Sequence, residues 1–536
     1  MKSDKAAVLL LIVIALAVRL YRLSKEVLWL DEARYLTAVF RDNFIQVIGD
    51  VYSRQHPPLH IISLHYWTKI FGISQDWLLL FSVVCGVISI VAAYFLVKKL
   101  FNDKNLAFVS ALFICFSLYH VHYSRDITEQ MFLTMMIFLS LLAFVMFLQS
   151  DKKNYYWNAA LYILSTAGMW YTHHYAFMFI LMENAVFFLF FKRHKHLLKK
   201  WLIIQLILFL LILPELGYTI FDAKVYGIKT NQLTNVQAWP NEAYSQARQV
   251  FASNFNPIPR AFSFINEKIG FDSMPFIMLI IIIFLISGIF SLIFNLRKIA
   301  GWIGGKREPG RIINKDYYFG AVFLLLLVAV PLLFTSKFPI IFRIYCFVFT
   351  VLFFSTMMAA GINIFQSKPV RVSLIILFVV ISSITINYGL KNNYSFYEDF
   401  EDWRGAAEFL KQPEQKTDLM VNSVGYTTIP FMYYYEYGSI RDAVKNEDDP
   451  YYFRSKGFIS IPGELSITPE NGRNNSLVLD DMNKTLSGVN DFWLIVSTHI
   501  SAIRGHQEMF NLIELSFKNV SEQSFGSVRL IKYERR

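Results

Sequence analysis

Apolar residues in this chain come in runs of about 17–25 separated by short polar connectors, the length a helix needs to cross a hydrocarbon core. Eleven runs are predicted to span, near 6–23, 77–97, 105–123, 128–148, 155–172, 175–191, 201–218, 274–296, 317–335, 339–360 and 370–390. The run 155–172 carries Asn158, Ser165 and Thr166. The stretch 59–71 is apolar but short, and suits a helix lying at the interface. No small-residue cleavage site follows the first run, so it reads as a retained helix and not as a signal peptide.

After residue 391 the pattern changes. Short strand-like runs recur at 418–421, 428–435, 492–498 and 527–533, with helix-like segments at 402–410 and 506–515. Alternating strands and helices predict a small α/β domain. The expected architecture is a polytopic α-helical membrane protein of about 11 transmembrane helices with a small C-terminal α/β extracytoplasmic domain. Its membrane domain covers 1–390, with outer loops 24–76 and 219–273, and its soluble domain covers 391–536.

Composition agrees. The 536 residues are 55% hydrophobic, against about 45–50% for soluble domains. The net charge of +11 suggests nucleic acid until the positions are read. Lys98, Lys99 and Lys104, then Lys152 and Lys153, then Lys192, Arg193, Lys195, Lys199 and Lys200, and later Arg297 to Lys315 and Lys368 with Arg371, all fall in connectors on one side. Basic loops face the cytoplasm. The N-terminus is therefore expected in the cytoplasm and the tail outside a cytoplasmic membrane, and no nucleic-acid partner is implied. Cys85, Cys115 and Cys346 lie within apolar runs and offer neither metal spacing nor a disulfide framework.

Five pieces on the outer side could carry chemistry. Asp31 and Glu32 follow the first run, where a carboxylate could act as general base or could simply be interfacial. Gln55-His56-Pro57-Pro58-Leu59 sets His56 before a helix start, where it could bind phosphate, polarise a hydroxyl or ligate a metal. Ser124-Arg125-Asp126 with Glu129 forms a tight outer turn, able to be a structural ion pair, an acceptor site or a divalent-cation site. Thr172-His173-His174-Tyr175 reads as aromatic-belt residues, a sugar platform or a metal ligand. Arg343-Ile344-Tyr345 places an arginine a turn inside a late span, as an anchor or as a partner for a lipid phosphate.

Taken in order, these pieces resemble the GT-C superfold of lipid-sugar-dependent glycosyltransferases, and within it the protein O-mannosyltransferase and aminoarabinose (lipid A) transferase branch. The matching motifs are Asp31-Glu32, Pro57-Pro58-Leu59, Ser124-Arg125-Asp126, Thr172-His173-His174-Tyr175, Arg343-Ile344-Tyr345 and, in the tail, Asp402-Trp403-Arg404-Gly405-Ala406-Ala407. Where aminoarabinose transferases carry Glu-Lys, this chain has Gln55-His56. The loop 219–273 is too short for the extra outer domains of eukaryotic mannosyltransferases, so a protein acceptor is not implied. The resemblance implies a single displacement with inversion, from a sugar on a polyprenyl phosphate to a lipid, glycan or protein acceptor. Asp31 would deprotonate the acceptor hydroxyl, Asp126 and Glu32 would orient it, and Arg343 with His56 would offset charge on the departing phosphate. Arg125, His173, His174 and Tyr345 are the further substrate-binding candidates. No cofactor is required by this scheme, and a divalent ion on Asp31, Asp126 or His56 stays open.

A transporter or flippase for a lipid-linked or anionic substrate is the competing class, but its ionisable residues should gather near the bilayer midplane. Here they gather at one face.

Overall fold

The computed structural model describes residues 2–52, 57–151, 153–225, 239–255, 274–293, 315–337, 344–391, 401–423, 427–446, 454–455, 457–460, 484–497 and 504–536. Its contacts divide the chain into two units. The first joins 1–23 to 51–392, and the second joins 24–50 to 393–536.

The first unit is an all-helical bundle. It holds α1 (Lys2–Leu20), α4 (Leu59–Phe71), α5 (Gln75–Phe101), α6 (Lys104–Cys115), α7 (Leu118–Tyr123), α8 (Gln130–Leu148), α9 (Tyr155–Trp170) and α10 (Ala176–Leu189). After the single turn α11 (Phe191–His194) come α12 (Leu198–Val225), α13 (Trp239–Phe255), α14 (Met274–Ile293), α15 (Lys315–Lys337), a 3-10 turn Ile344–Thr350, α16 (Val351–Ile362) and α17 (Lys368–Lys391). Each of the eleven predicted runs holds helix among its described residues, and six of the described helices are long and apolar enough to cross a membrane by themselves. This is an integral membrane protein.

Two predicted spans are broken. The third divides at Phe116 and Ser117 into α6 and α7, where Ser117 caps the new helix by accepting from His120 N–H. The described part of the tenth opens as the 3-10 turn Ile344–Thr350 before continuing as α16. Apolar residues run straight through both breaks, so hydropathy alone does not show them.

Helix α8 is buried along most of its length and packs on α5 and α9. Phe144, Phe147, Tyr162 and Phe187 surround Trp201, whose ring stacks on Phe187 at 4.8 Å. Helices α14 and α16 approach through glycines. A Cβ on Gly361 would stand 2.5 Å from the Phe284 carbonyl, and one on Gly288 would overlap the Met357 carbonyl. Small residues let membrane helices come this close.

The second unit contains α2 (Leu30–Phe40) and most of α3 (Phe44–Tyr52), joined to the tail. In the tail, β1 (Leu419–Asn422), β2 (Arg454–Ser455), β3 (Phe458–Ser460), β4 (Asp491–Ser497), β5 (Phe517–Phe525) and β6 (Val528–Arg535) form one sheet in the order β2-β3-β1-β4-β6-β5. Strand β1 runs parallel to β3 and β4, while β4–β6 and β6–β5 are antiparallel. Ile513 of α21 (Arg504–Ser516) covers one side of a core of Val421, Phe492, Leu494, Val496 and Ile531.

The strand expected at 428–435 is a helix, α19 (Thr428–Tyr435), followed by α20 (Tyr437–Asn446). Its β-branched and aromatic residues favour a strand by propensity. Burial of Thr428, Ile429, Phe431 and Met432 overrides that preference. Helix α18 (Trp403–Leu410) starts where expected, because Asp402 accepts from Gly405 N–H at 2.8 Å. A Cβ on Gly405 would meet that same carboxylate and Phe525.

Candidate active site

Two arginines organise the turn 124–130 at one end of the bundle. Arg125 donates from one nitrogen to the carbonyls of Arg19 and Tyr21 and from the other to Arg22, at 2.9, 2.5 and 3.1 Å. It thereby closes the end of α1, whose last carbonyls have no partner within the helix. Sequence reasoning placed Arg125 on substrate; in the structure it donates to these three carbonyls. Arg22 itself sits at φ 59°, a left-handed helix ending.

Arg19 is fully buried. It donates to Ser124 Oγ at 3.1 Å, to His120 Nδ1 at 2.8 Å, and to the Ala15 and Cys115 carbonyls. A guanidinium only donates, so His120 Nδ1 accepts and the ring proton lies on Nε2, 2.9 Å from Ser89 Oγ. Sequence reasoning missed Arg19, His120 and Ser89. An arginine inside the first apolar run was the available signal.

The turn itself is acidic and buried. Asp126 accepts from Thr128 N–H at 2.7 Å, and Glu129 accepts from the Gln130 amide at 3.1 Å; both acids are buried. From here the remote motifs meet. The Cys346 thiol lies 3.8 Å from Gln130 Oε1 and 3.7 Å from His173 Nε2. His173 Nδ1 accepts from Tyr175 N–H at 3.1 Å, which fixes the ring. Leu59 N–H donates to the Tyr171 carbonyl at 2.8 Å, and His60 packs between Phe81 and Phe132 at 5.7 Å from each. The segments 57–60, 124–130, 171–175 and 344–346, scattered along the chain, thus occupy one end of the bundle. Nearby, His174 Nε2 is 3.9 Å from the buried Glu215 carboxylate, beside Pro214 of α12. His56 and Arg343 lie outside the described residues, as does the side chain of Tyr345.

Asp31 and Glu32 belong to the second unit, in the first turn of α2. Glu32 is buried and accepts from Trp29 N–H at 3.0 Å, holding the start of its own helix. The side chain of Asp31 lies outside the described residues. Of Asp31, Asp126 and His56, the candidates for a metal, Asp126 alone has a described side chain. Among the described residues no three His, Cys, Asp or Glu side chains form a metal-binding group.

Comparison with known proteins adds to this geometry. Residues 55–218 match the family model described as dolichyl-phosphate-mannose-protein mannosyltransferase. That stretch takes in three of the motif segments and is less than half of the chain. ArnT from Cupriavidus metallidurans bound to undecaprenyl phosphate superposes with a TM-score of 0.54 at 10% identity, over 98% of this chain and 97% of that one. The apo state of the same protein gives 0.55 at 10% identity, over 99% and 98%. The oligosaccharyltransferase AglB from Archaeoglobus fulgidus, in complex with an inhibitory peptide and a dolichol-phosphate, reaches 0.48 at 10% identity over 98% of this chain and 73% of its own, too low to carry an argument. No curated protein matches the chain by sequence. End-to-end agreement with ArnT in helices and sheet gives this chain the fold of the GT-C superfold of membrane glycosyltransferases.

Proposed function

We propose that this protein is a glycosyltransferase that moves a sugar from a polyprenyl-phosphate carrier to an acceptor hydroxyl at the outer face of the cytoplasmic membrane. The observation that carries the reading is the meeting of four remote motif segments at one end of a membrane bundle, around buried Asp126 and Glu129 and half-buried His173. Buried acids beside an imidazole are costly in such a place and fit a site that handles a polar substrate. ArnT, which shares the fold, has been crystallised with undecaprenyl phosphate.

In the reaction the acceptor oxygen attacks the anomeric carbon, the bond from that carbon to the phosphate oxygen breaks, and polyprenyl phosphate departs. Asp31 takes the hydroxyl proton as general base. Arg343, with His56, offsets the charge that collects on the leaving phosphate. Asp126 orients the acceptor. Arg125 contributes indirectly, by fixing the end of α1 and with it the turn that presents Asp126.

The test is incubation of purified protein with radiolabelled undecaprenyl-phosphate mannose or undecaprenyl-phosphate aminoarabinose and a membrane extract. Label should pass to an extractable acceptor, with a parallel chelator run to read any need for a divalent ion. Asp31→Asn should abolish transfer while the thermal melting curve keeps its shape. Movement of intact donor across proteoliposomes without loss of sugar would favour a flippase and overturn the reading.

A further inference from the structure

The tail touches the Asp31 segment through main-chain contacts. Arg404, in the first turns of α18, donates to the Ser24 carbonyl at 2.9 Å and to the Glu26 carbonyl at 2.7 Å. Tyr434, at the end of α19, accepts from Leu28 N–H at 2.8 Å. The Arg404 guanidinium lies over the Tyr434 ring at 5.3 Å, so the two side chains brace each other. Burial, with the nearby Glu32 charge adding to it, holds the Tyr434 phenol above its ordinary range, so it stays a neutral hydroxyl. Three backbone groups in 24–28 are thereby fixed immediately ahead of α2.

Helix α2 is then clamped along its length. Leu36, Thr37, Ala38, Val39 and Phe40 are all buried, and α2 packs on α19 and α20. The Phe40 ring meets Tyr437 edge-on at 5.7 Å. After α2, Arg41 closes on Asp50 at 2.9 Å. The segment 24–50 therefore folds as a part of the tail domain, although most of the chain intervenes.

We infer that Arg404 and Tyr434 are positioning residues for the general base: through the carbonyls of Ser24 and Glu26 and the N–H of Leu28, the tail domain sets the position of the helix turn that carries Asp31. This rests on the reading of Asp31 as the base. A carboxylate displaced by an ångström loses on the order of a hundredfold in rate, while donor binding, which does not use these groups, persists.

The variants are Arg404→Ala, Arg404→Lys and Tyr434→Phe, with Arg529→Ala, on the far β5–β6 hairpin, as the control. Turnover of Arg404→Ala should fall about a hundredfold with the KM for undecaprenyl-phosphate sugar unchanged. Binding of undecaprenyl phosphate should keep its wild-type stoichiometry, which a merely unfolded fraction would lower. Arg404→Lys, which can reach one carbonyl but cannot fork to two, should recover only part of the rate. In the Asp31→Asn background Arg404→Ala should cause no further loss. Hydrogen exchange should quicken in peptides covering 24–40 and stay slow in 491–497. Wild-type turnover in Arg404→Ala, or unchanged exchange in 24–40, overturns the inference. If Asp31→Asn itself keeps full turnover, the assignment of the base falls instead. If Asp31→Asn is dead and Arg404→Ala is silent, the positioning role falls alone.

Discussion

In the bundle, the acidic turn 124–130 is buried. Arg19 supplies donors to two side chains and two carbonyls, Arg125 supplies donors to three carbonyls, and Asp126 turns back on Thr128. In the second unit, α2 and the residues before it are held by Arg404 and Tyr434, and the segment binding Arg404 remains partly open to solvent. Both regions use arginines on main-chain carbonyls. The difference lies in what happens when the arginine is removed. Within lipid an orphaned group has no substitute partner, whereas at the outer segment water can take over. The bundle arginines are therefore expected to govern folding, and the outer arginine to govern placement of a helix.

Several substitutions can break that contrast. The largest effect is expected from Arg19→Ala, which strips His120, Ser124 and two carbonyls of their donor and should cost about 3–5 kcal/mol. The checks are folded yield and melting temperature in detergent; a stable Arg19→Ala protein would dissolve the distinction. Arg125→Ala should cost about 2 kcal/mol, because the end of α1 loses its cover, and the same melting measurement reads it. Glu183 of α10 accepts from Tyr162 and Ser140 at 2.7 and 2.9 Å, tying three helices together. Glu183→Leu should therefore cost about 1–2 kcal/mol and Glu183→Gln much less, with comparative melting as the assay.

The smallest effect is expected on the outer sheet, where Arg529 bonds Glu522 at 2.7 Å across the β5–β6 hairpin. Both side chains are over a third exposed. Screened by solvent, the pair should contribute about 0.5 kcal/mol or less. That hydrogen bond lowers the folded Glu522 pKa. The contribution should be present above the ordinary carboxylate range and vanish on acidification through the folded value. Melting of Arg529→Ala and wild type against pH should converge at the acid end.

The bundle was legible because bilayer thickness writes itself into the length of apolar runs. Its breaks were not. At Ser117 and at 344–350 the sequence stays apolar while the backbone changes course. In the tail, β1, β4 and β6 were legible from their buried runs. Strand β5 was not, since along it only Phe517 is buried and only Phe525 half-buried, and no alternation marks it. The site motifs were legible as a set of polar residues at one face. Their meeting through Cys346 was hidden, because a thiol in an apolar run looks like packing. The grip of Arg404 was equally hidden, since carbonyl acceptors have no letter in a sequence.

Splitting the second unit between 24–50 and 393–536 also has a consequence for how the protein is made. Residues 24–50 emerge early, while α19 and α20, on which α2 packs, follow only after the whole bundle. At ordinary translation rates the interval is on the order of half a minute. Through that time the Asp-Glu helix has no surface to rest on. A nascent chain thus holds the whole bundle before α2 has the helices it packs on.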